Sequence, residues 1–169
     1  MRRRARAGAG VALAVLSSGC LYQFIGGNFP EHIRTLSIDP IVNDTPRLEV
    51  TGLLQEELLR NLPRALGVRQ ASSDEADAVV RVRITSYQVN APNYRPGAAR
   101  GTAEVVQRQV MITAQVQIVD QVNDEIYWED TALRGEGQFL DATETEEVGR
   151  AEAIQLLVQR IVDGAQSNW

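Results

Sequence analysis

The chain has 169 residues, with 17 basic and 22 acidic side chains and a formal net charge of −5. This length fits one domain of about 100–200 residues. A composition that is 44% hydrophobic and 23% charged excludes a disordered chain and a polytopic membrane protein. One Cys excludes an internal disulfide framework, and one His argues against a zinc centre or a His-dependent hydrolase.

The charge is unevenly distributed along the chain. All basic residues are Arg, and four of the 17 lie within the first 19 residues, which contain no acid. Residues 20–169 therefore carry 13 basic and 22 acidic side chains, a net charge of −9. Nucleic-acid binding requires a basic surface, so this body argues against a nucleic-acid partner.

The first twenty residues have the pattern of an export signal. Four Arg precede an apolar run from Ala7 to Leu16, which is followed by small residues and then by Cys20. The run is too short to span a membrane, which takes about 20 apolar residues, and the order of segments is that of a secretory signal. The Cys directly after small residues resembles the lipidation site of bacterial lipoproteins. We therefore expect residues 1–19 to be a signal peptide, and residues 20–169 to be a single domain anchored through acylated Cys20.

The first half of the body predicts a strand followed by a helix. The alternation in Leu36–Ile38 ends at a Pro and indicates a short strand. Thr45 is a candidate N-cap before Pro46. An amphipathic helix is predicted from apolar residues that repeat every four positions: Val50, Leu54, Leu58 and Leu62. Pro63 is expected to end or bend this helix.

Three further strands and a second helix follow. The predicted strands cover residues 77–89, 106–120 and 125–134, with a loop at 90–102 and a turn at 120–124. In the first of these strands, one face is predicted to carry Arg81, Arg83, Thr85 and Tyr87. The last helix is predicted to begin at Thr143 and to stop at Gly164. The fold class is α+β: two helices on one face of a roughly four-stranded, largely antiparallel (mixed) sheet, in the order β-α-β-β-β-α.

Few residue patterns in the sequence suggest a catalytic or ligand-binding site. His32 lies in a linker-like stretch without a nucleophile motif and is interpreted as a surface histidine. Gly135 and Gly137 lack the context of a phosphate loop and are interpreted as turns or strand ends. We expect no cofactor, no metal and no catalytic residue, although a cryptic pair of carboxylates, as in a periplasmic hydrolase, stays open as an alternative.

A group of Arg residues suggests an anionic ligand. Arg81 and Arg83 are predicted on one strand face with Arg108 on the neighbouring strand, and Arg95 and Arg100 lie in the predicted loop. Guanidinium groups pair bidentately with phosphate. The alternative is that Arg81 and Arg83 merely occupy a solvated sheet face, where exposed charge pairs contribute little to stability.

Several segments together resemble the LptE family of lipopolysaccharide-assembly lipoproteins. They are Gly19–Phe24, Phe29–Ile38, Ala76–Tyr87, Val116–Asp120, Ile126–Glu129 and the closing helix near Ile161. The resemblance covers essentially the whole mature chain and keeps the same order of elements.

The resemblance implies a non-enzymatic outer-membrane lipoprotein, held in the inner leaflet and facing the periplasm. Such proteins plug the β-barrel LptD, help it to assemble and bind lipopolysaccharide during its insertion into the outer leaflet. Leu21 after the Cys also favours outer-membrane sorting, by a general rule for Gram-negative lipoproteins. The alternative is another lipid-anchored module, accessory to a cell-wall synthase, a transport system or a secretion channel.

Overall fold

The structure is a computed structural model that describes residues 29–96 and 103–167. Its elements follow in chain order and are listed with their bounds: β1 Thr35–Ile38, β2 Val42–Asn43, α1 Glu49–Leu66, β3 Arg69–Gln70, β4 Ala78–Pro96, β5 Ala103–Asp120, β6 Glu125–Leu140 and α2 Glu146–Ser167. The predicted signal peptide and Cys20 lie outside the described residues.

The strands form one mixed sheet with two helices packed against it, which confirms the predicted fold class. The strand order is β3-β1-β4-β5-β6, and β2 also pairs with β4. Strands β4, β5 and β6 are antiparallel, whereas the short strands β1, β2 and β3 pair in parallel. Across the described residues the sheet has six strands rather than about four, because β2 and β3 are two-residue strands that leave no periodic pattern in the sequence.

The three long strands extend further than predicted. Residues 90–102 were predicted as a loop, but β4 continues to Pro96 and β5 begins at Ala103, so the prediction is wrong for residues 90–96. The alternation is lost there because the pairing shifts between Asn90 and Tyr94. Each irregularity changes which side chains share a face, so a paired strand can look aperiodic in sequence.

Helix α1 begins and ends later than predicted. Its N-cap is Leu48 rather than Thr45, because Asn43 accepts hydrogen bonds from the Thr45 N–H and hydroxyl and holds this segment in a turn. Pro63 lies inside the helix instead of ending it. Gly67 ends the helix in the left-handed region, with φ +72°, where glycine carries no steric penalty.

The boundaries of helix α2 also differ from the prediction. The helix begins at Glu146 rather than Thr143, since residues before it form a turn in which Glu144 accepts from the Leu140 N–H at 2.6 Å. Gly164 does not end the helix. It faces the Trp128 ring so closely that an added Cβ would lie 2.2 Å from that ring.

The two helices run parallel over one face of the sheet. Arg150 of α2 contacts Glu49 at the start of α1, and Gln166 donates to the Ala65 carbonyl near the ends of both helices. The core lies between helices and sheet, and its fully buried large side chains come from both layers: Leu36, Leu54, Leu58, Leu62, Ile84, Ile112, Ile118, Leu157 and Ile161. The predicted four-residue stripe of α1 is therefore the core face.

Glycines let α2 lie directly on β6. A Cβ at Gly137 would lie 1.9 Å from the Gly149 carbonyl oxygen, and one at Gly135 would lie 2.1 Å from the Ala153 carbonyl oxygen. Both glycines are inside β6, so their interpretation as turns or strand ends is wrong. The backbone of α2 can approach β6 this closely only because glycine has no Cβ.

A bulge in β4 redirects the side chains that follow it. Ile84 pairs with Ala114 and Ser86 with Thr113, so β4 has an extra residue at Thr85. Tyr87 then shares the helix-covered face with its partner Ile112, and it packs against the core. The prediction that Tyr87 lies on the same face as Arg81 is therefore wrong, because one inserted residue exchanges the two faces.

Candidate functional site

The face of the sheet away from the helices is polar and carries the candidate site. Its central strand, β5, presents mainly amide side chains to this face, from Gln107, Gln109, Gln115 and Gln117, together with Met111 and Thr113. Several pair across the strands, for example Gln109 with Glu136 at 3.1 Å. This confirms the outward face predicted for β5 and gives a surface rich in uncharged hydrogen-bonding groups.

Arg81 and Arg83 lie together on this face, as predicted, but each already has an acidic partner. Arg81 Nε lies 3.4 Å from Asp39, and Arg83 Nη1 lies 3.1 Å from Asp44. Both acids follow the short strands β1 and β2, which pair with β4 and so place them beside the Arg side chains. All four groups are partly exposed, so these pairs contribute little to stability.

A cleft of about 420 Å³ crosses this face. Its floor is formed by Arg81, Arg83, Gln115 and Gln117, and one wall is the corner at Asp39 and Pro40. The opposite wall is a bulge of β6, where Gln115 of β5 lies opposite two residues, Thr131 and Ala132. The Asp130 carboxylate accepts from the Ala132 N–H at 2.8 Å and fixes this bulge. Sequence reasoning missed both walls, because neither produces a periodic pattern.

Arg108 does not join this cleft. Arg108 pairs with Phe139 and points to the helix-covered face, where it contacts Asp141. Its position on β5 is nine residues from that of Gln117, the partner of Arg81, or about 30 Å along the strand. Arg95 belongs to β4 through its backbone pairing with Glu104. Arg100 lies outside the described residues. The structure thus separates Arg108 from the Arg81 and Arg83 pair.

His32 is held on the body rather than in a linker. Its Nε2 lies 2.6 Å from Oδ2 of Asp120, a carboxylate that is 1% exposed, and the His side chain is 41% exposed. Asp120 also accepts from the Val122 and Asn123 N–H groups in the β5–β6 turn. Ile33, which follows His32, is buried in the core. The cluster fastens the N-terminal segment to the end of β5.

The hydrogen bonds around Asp120 predict a dependence of stability on pH. Burial raises the pKa of Asp120, but hydrogen bonds from His32, Asn123 and Val122 outweigh it, so the pKa lies below the ordinary 3.8. A lowered pKa stabilises the fold at neutral pH, and this contribution disappears as the pH falls below 3.8. We expect Asp120→Asn to lower the free energy of unfolding by about 1–3 kcal/mol at pH 7. Urea unfolding at pH 7 and pH 3 should show a smaller difference from the wild type at pH 3.

A second charged cluster joins the two helix starts to the sheet. The Tyr87 hydroxyl donates to Glu146 at 2.7 Å, and the Arg47 guanidinium lies 5.3 Å from the centre of the Tyr87 ring. Burial, together with the adjacent Glu146 carboxylate, raises the pKa of Tyr87 to about 12. Tyr87 is therefore a neutral donor that fastens β4 to α2, and the arrangement has a structural role.

Within residues 29–96 and 103–167, no group of three or more His, Cys, Asp and Glu side chains has the spacing to hold a metal ion. Neither described helix is long and apolar enough to cross a membrane.

Comparisons with known proteins give a family match and several structural matches. The family described as LptE, lipopolysaccharide-assembly, matches residues 33–164, well over half of the chain. No curated protein matches the sequence. The hypothetical protein CT253 from Chlamydia trachomatis has a similar fold, at 11% identity and a TM-score of 0.54, over 80% of this chain and 99% of that one.

Two solved lipoproteins were also matched. Lipoprotein GNA1162 from Neisseria meningitidis gives a TM-score of 0.45 at 13% identity, over 76% of this chain and 95% of that one. The rare lipoprotein B from Shewanella oneidensis gives 0.37 at 14% identity, over 76% and 94%. The sequence match carries the assignment: this chain belongs to the LptE family of lipopolysaccharide-assembly proteins.

Proposed function

We propose that this protein is an outer-membrane lipoprotein that fits inside an LptD-type β-barrel, helps that barrel to assemble and binds lipopolysaccharide during its insertion into the outer leaflet. The observation that carries the proposal is the family match over residues 33–164. It spans every described helix and strand apart from the last turn of α2. The role is one of binding and assembly, without catalysis.

The amide-rich face of the sheet supports a location inside a barrel. The interior of a large membrane barrel is polar. Gln109, Gln115 and Gln117 can exchange hydrogen bonds with such a wall without removing a charge from water, which carries a large desolvation penalty. The net charge of −9 on residues 20–169 also leaves this body soluble outside the lipid.

The N-terminal end of the body indicates how the anchor would orient it. Phe29 packs edge-on against Tyr127 at 5.2 Å, beside the β5–β6 turn. Cys20 precedes Phe29 by nine residues, which reach at most about 30 Å. We therefore place the β5–β6 turn toward the inner leaflet and the β4–β5 hairpin away from it.

A role of the five Arg candidates in binding lipopolysaccharide stays a proposal. Arg81 and Arg83 can meet a ligand only with the N–H groups that Asp39 and Asp44 leave open. Arg108 is likewise paired, with Asp141. Arg95, in β4, and Arg100, outside the described residues, are the further candidates for lipid A or core phosphates.

Affinity purification from solubilised outer membranes tests the proposal. We expect a tagged form of the full chain to bring down one large β-barrel protein together with lipopolysaccharide, and depletion of the chain to lower the amount of that barrel. An unrelated tagged outer-membrane lipoprotein is the matched control and should bring down neither. Recovery of a cell-wall synthase or a secretion channel without a large barrel would contradict the proposal and support the alternative module.

A further inference from the structure

We infer that the cleft on the polar face binds an uncharged, polyhydroxylated sugar rather than a phosphate group. The inference rests on the proposed function for the source of the sugar, which is the core oligosaccharide of lipopolysaccharide. The saccharide part of that molecule binds in the cleft whose floor contains Arg81, Arg83 and Gln115.

The charges in the cleft argue against phosphate. Arg81 and Arg83 are the cations of the lining, while Asp39, Glu129 and Asp130 are its anions, so the lining has a net charge of −1. Each guanidinium also faces a carboxylate at 3.4 Å or less. A phosphate would compete with those carboxylates for the same N–H groups and would be repelled by the remaining acids.

The polar groups of the lining match hydroxyl groups instead. A hydroxyl donates one hydrogen bond and accepts others, so it needs donors and acceptors side by side. Arg83 supplies donors, Glu129 supplies acceptors, and the amide of Gln115 supplies both. Gln115 and Thr131 are exposed, so their polar groups are open to a ligand.

The shape of the cleft fits the same class of ligand. Its volume of about 420 Å³ falls within the range of about 300–1,000 Å³ typical of small-ligand sites. Pro40 and Val42, which is 45% exposed, add apolar surface on one wall, against which the C–H face of a sugar ring can pack. The β6 bulge places Thr131 on the opposite wall of the cleft.

Binding of defined probes to the full chain in detergent tests the inference. The probes are a neutral hexose oligosaccharide of the outer core, the deacylated glucosamine disaccharide bisphosphate of lipid A, and chitotetraose as an N-acetylated cell-wall glycan. We expect the core oligosaccharide to bind best, with the same affinity at low and high salt, because no net charge is neutralised. Gln115→Ala and Arg83→Gln should each weaken its binding about fivefold, the loss of one or two hydrogen bonds. Arg60→Gln, on the exposed face of α1, is the charge-matched control and should leave binding unchanged.

A second variant distinguishes sugar from phosphate directly. Glu129→Gln removes a negative charge from the lining, so a phosphate held in the cleft would bind more tightly to this variant. We expect no such gain for the bisphosphate, and we expect the core oligosaccharide to bind equally well or more weakly. Salt-sensitive binding of the bisphosphate that Glu129→Gln strengthens would overturn the inference, and so would an oligosaccharide affinity that Gln115→Ala leaves unchanged. Tighter binding of chitotetraose would overturn the lipopolysaccharide source. Barrel co-purification with Arg83→Gln is measured in parallel, and its retention separates loss of the sugar site from failure of the proposed function.

Discussion

Replacing Gly137 with Ala is expected to lower the free energy of unfolding by about 3 kcal/mol. The added Cβ would lie 1.9 Å from the Gly149 carbonyl oxygen and 2.6 Å from the Ala153 nitrogen. Both atoms belong to the backbone of α2, so no side-chain rotation can relieve the contact, and the helix must move away from β6. Urea unfolding followed by circular dichroism measures the change.

Gly52→Ala is the matched control for that substitution. Gly52 lies within α1, and nothing lies within 4 Å of a Cβ added there. Ala has the higher helix propensity, so this variant should be more stable by about 1 kcal/mol. Similar midpoints for the two variants would contradict the close approach of α2 to β6.

Replacing Cys20 with Ser is expected to move the protein from the membrane fraction to the soluble fraction or to leave it uncleaved during export. Acyl chains on the N-terminal Cys anchor a protein stably only when at least two are present. Without the thiol none can be attached, so the loss should be nearly complete. Fractionation and uptake of labelled palmitate measure it.

Ser17→Leu is the control for the anchor. It places Leu three residues before the Cys, where lipoprotein signals usually have it, and it should leave acylation intact. Unchanged membrane association and palmitate uptake in Cys20→Ser would show that residues 1–20 act as an ordinary signal with a coincidental Cys.

Much of the candidate site could be predicted because sheet periodicity fixes it. The alternation around Arg81, Arg83, Gln115 and Gln117 predicts one polar face, and the structure brings these side chains together in one cleft. The acidic partners could not be predicted, because Asp39 and Asp44 reach the Arg side chains only through the parallel pairing of β1 and β2 with β4. The local sequence of a strand does not specify which other strand pairs with it.

The position of Arg108 likewise could not be predicted from its residue type alone. Its residue type suggested a common site with Arg81, but its position in the alternation of β5 puts it on the face of Val110 and the helices. The family resemblance was independent of these details, and the match over residues 33–164 confirms it.

The sequence by itself determined the α+β class, the core stripe of α1, the outward amide row of β5 and the family, because each follows from local periodicity or from a pattern along the whole chain. Only the tertiary structure decided the two-residue strands, the bulge that turns Tyr87 inward and the cleft between Pro40 and Thr131. The glycines of β6 belong to the second group as well. Their role depends on a helix backbone less than 2.5 Å from where a Cβ would be, and only packing between distant segments brings it there.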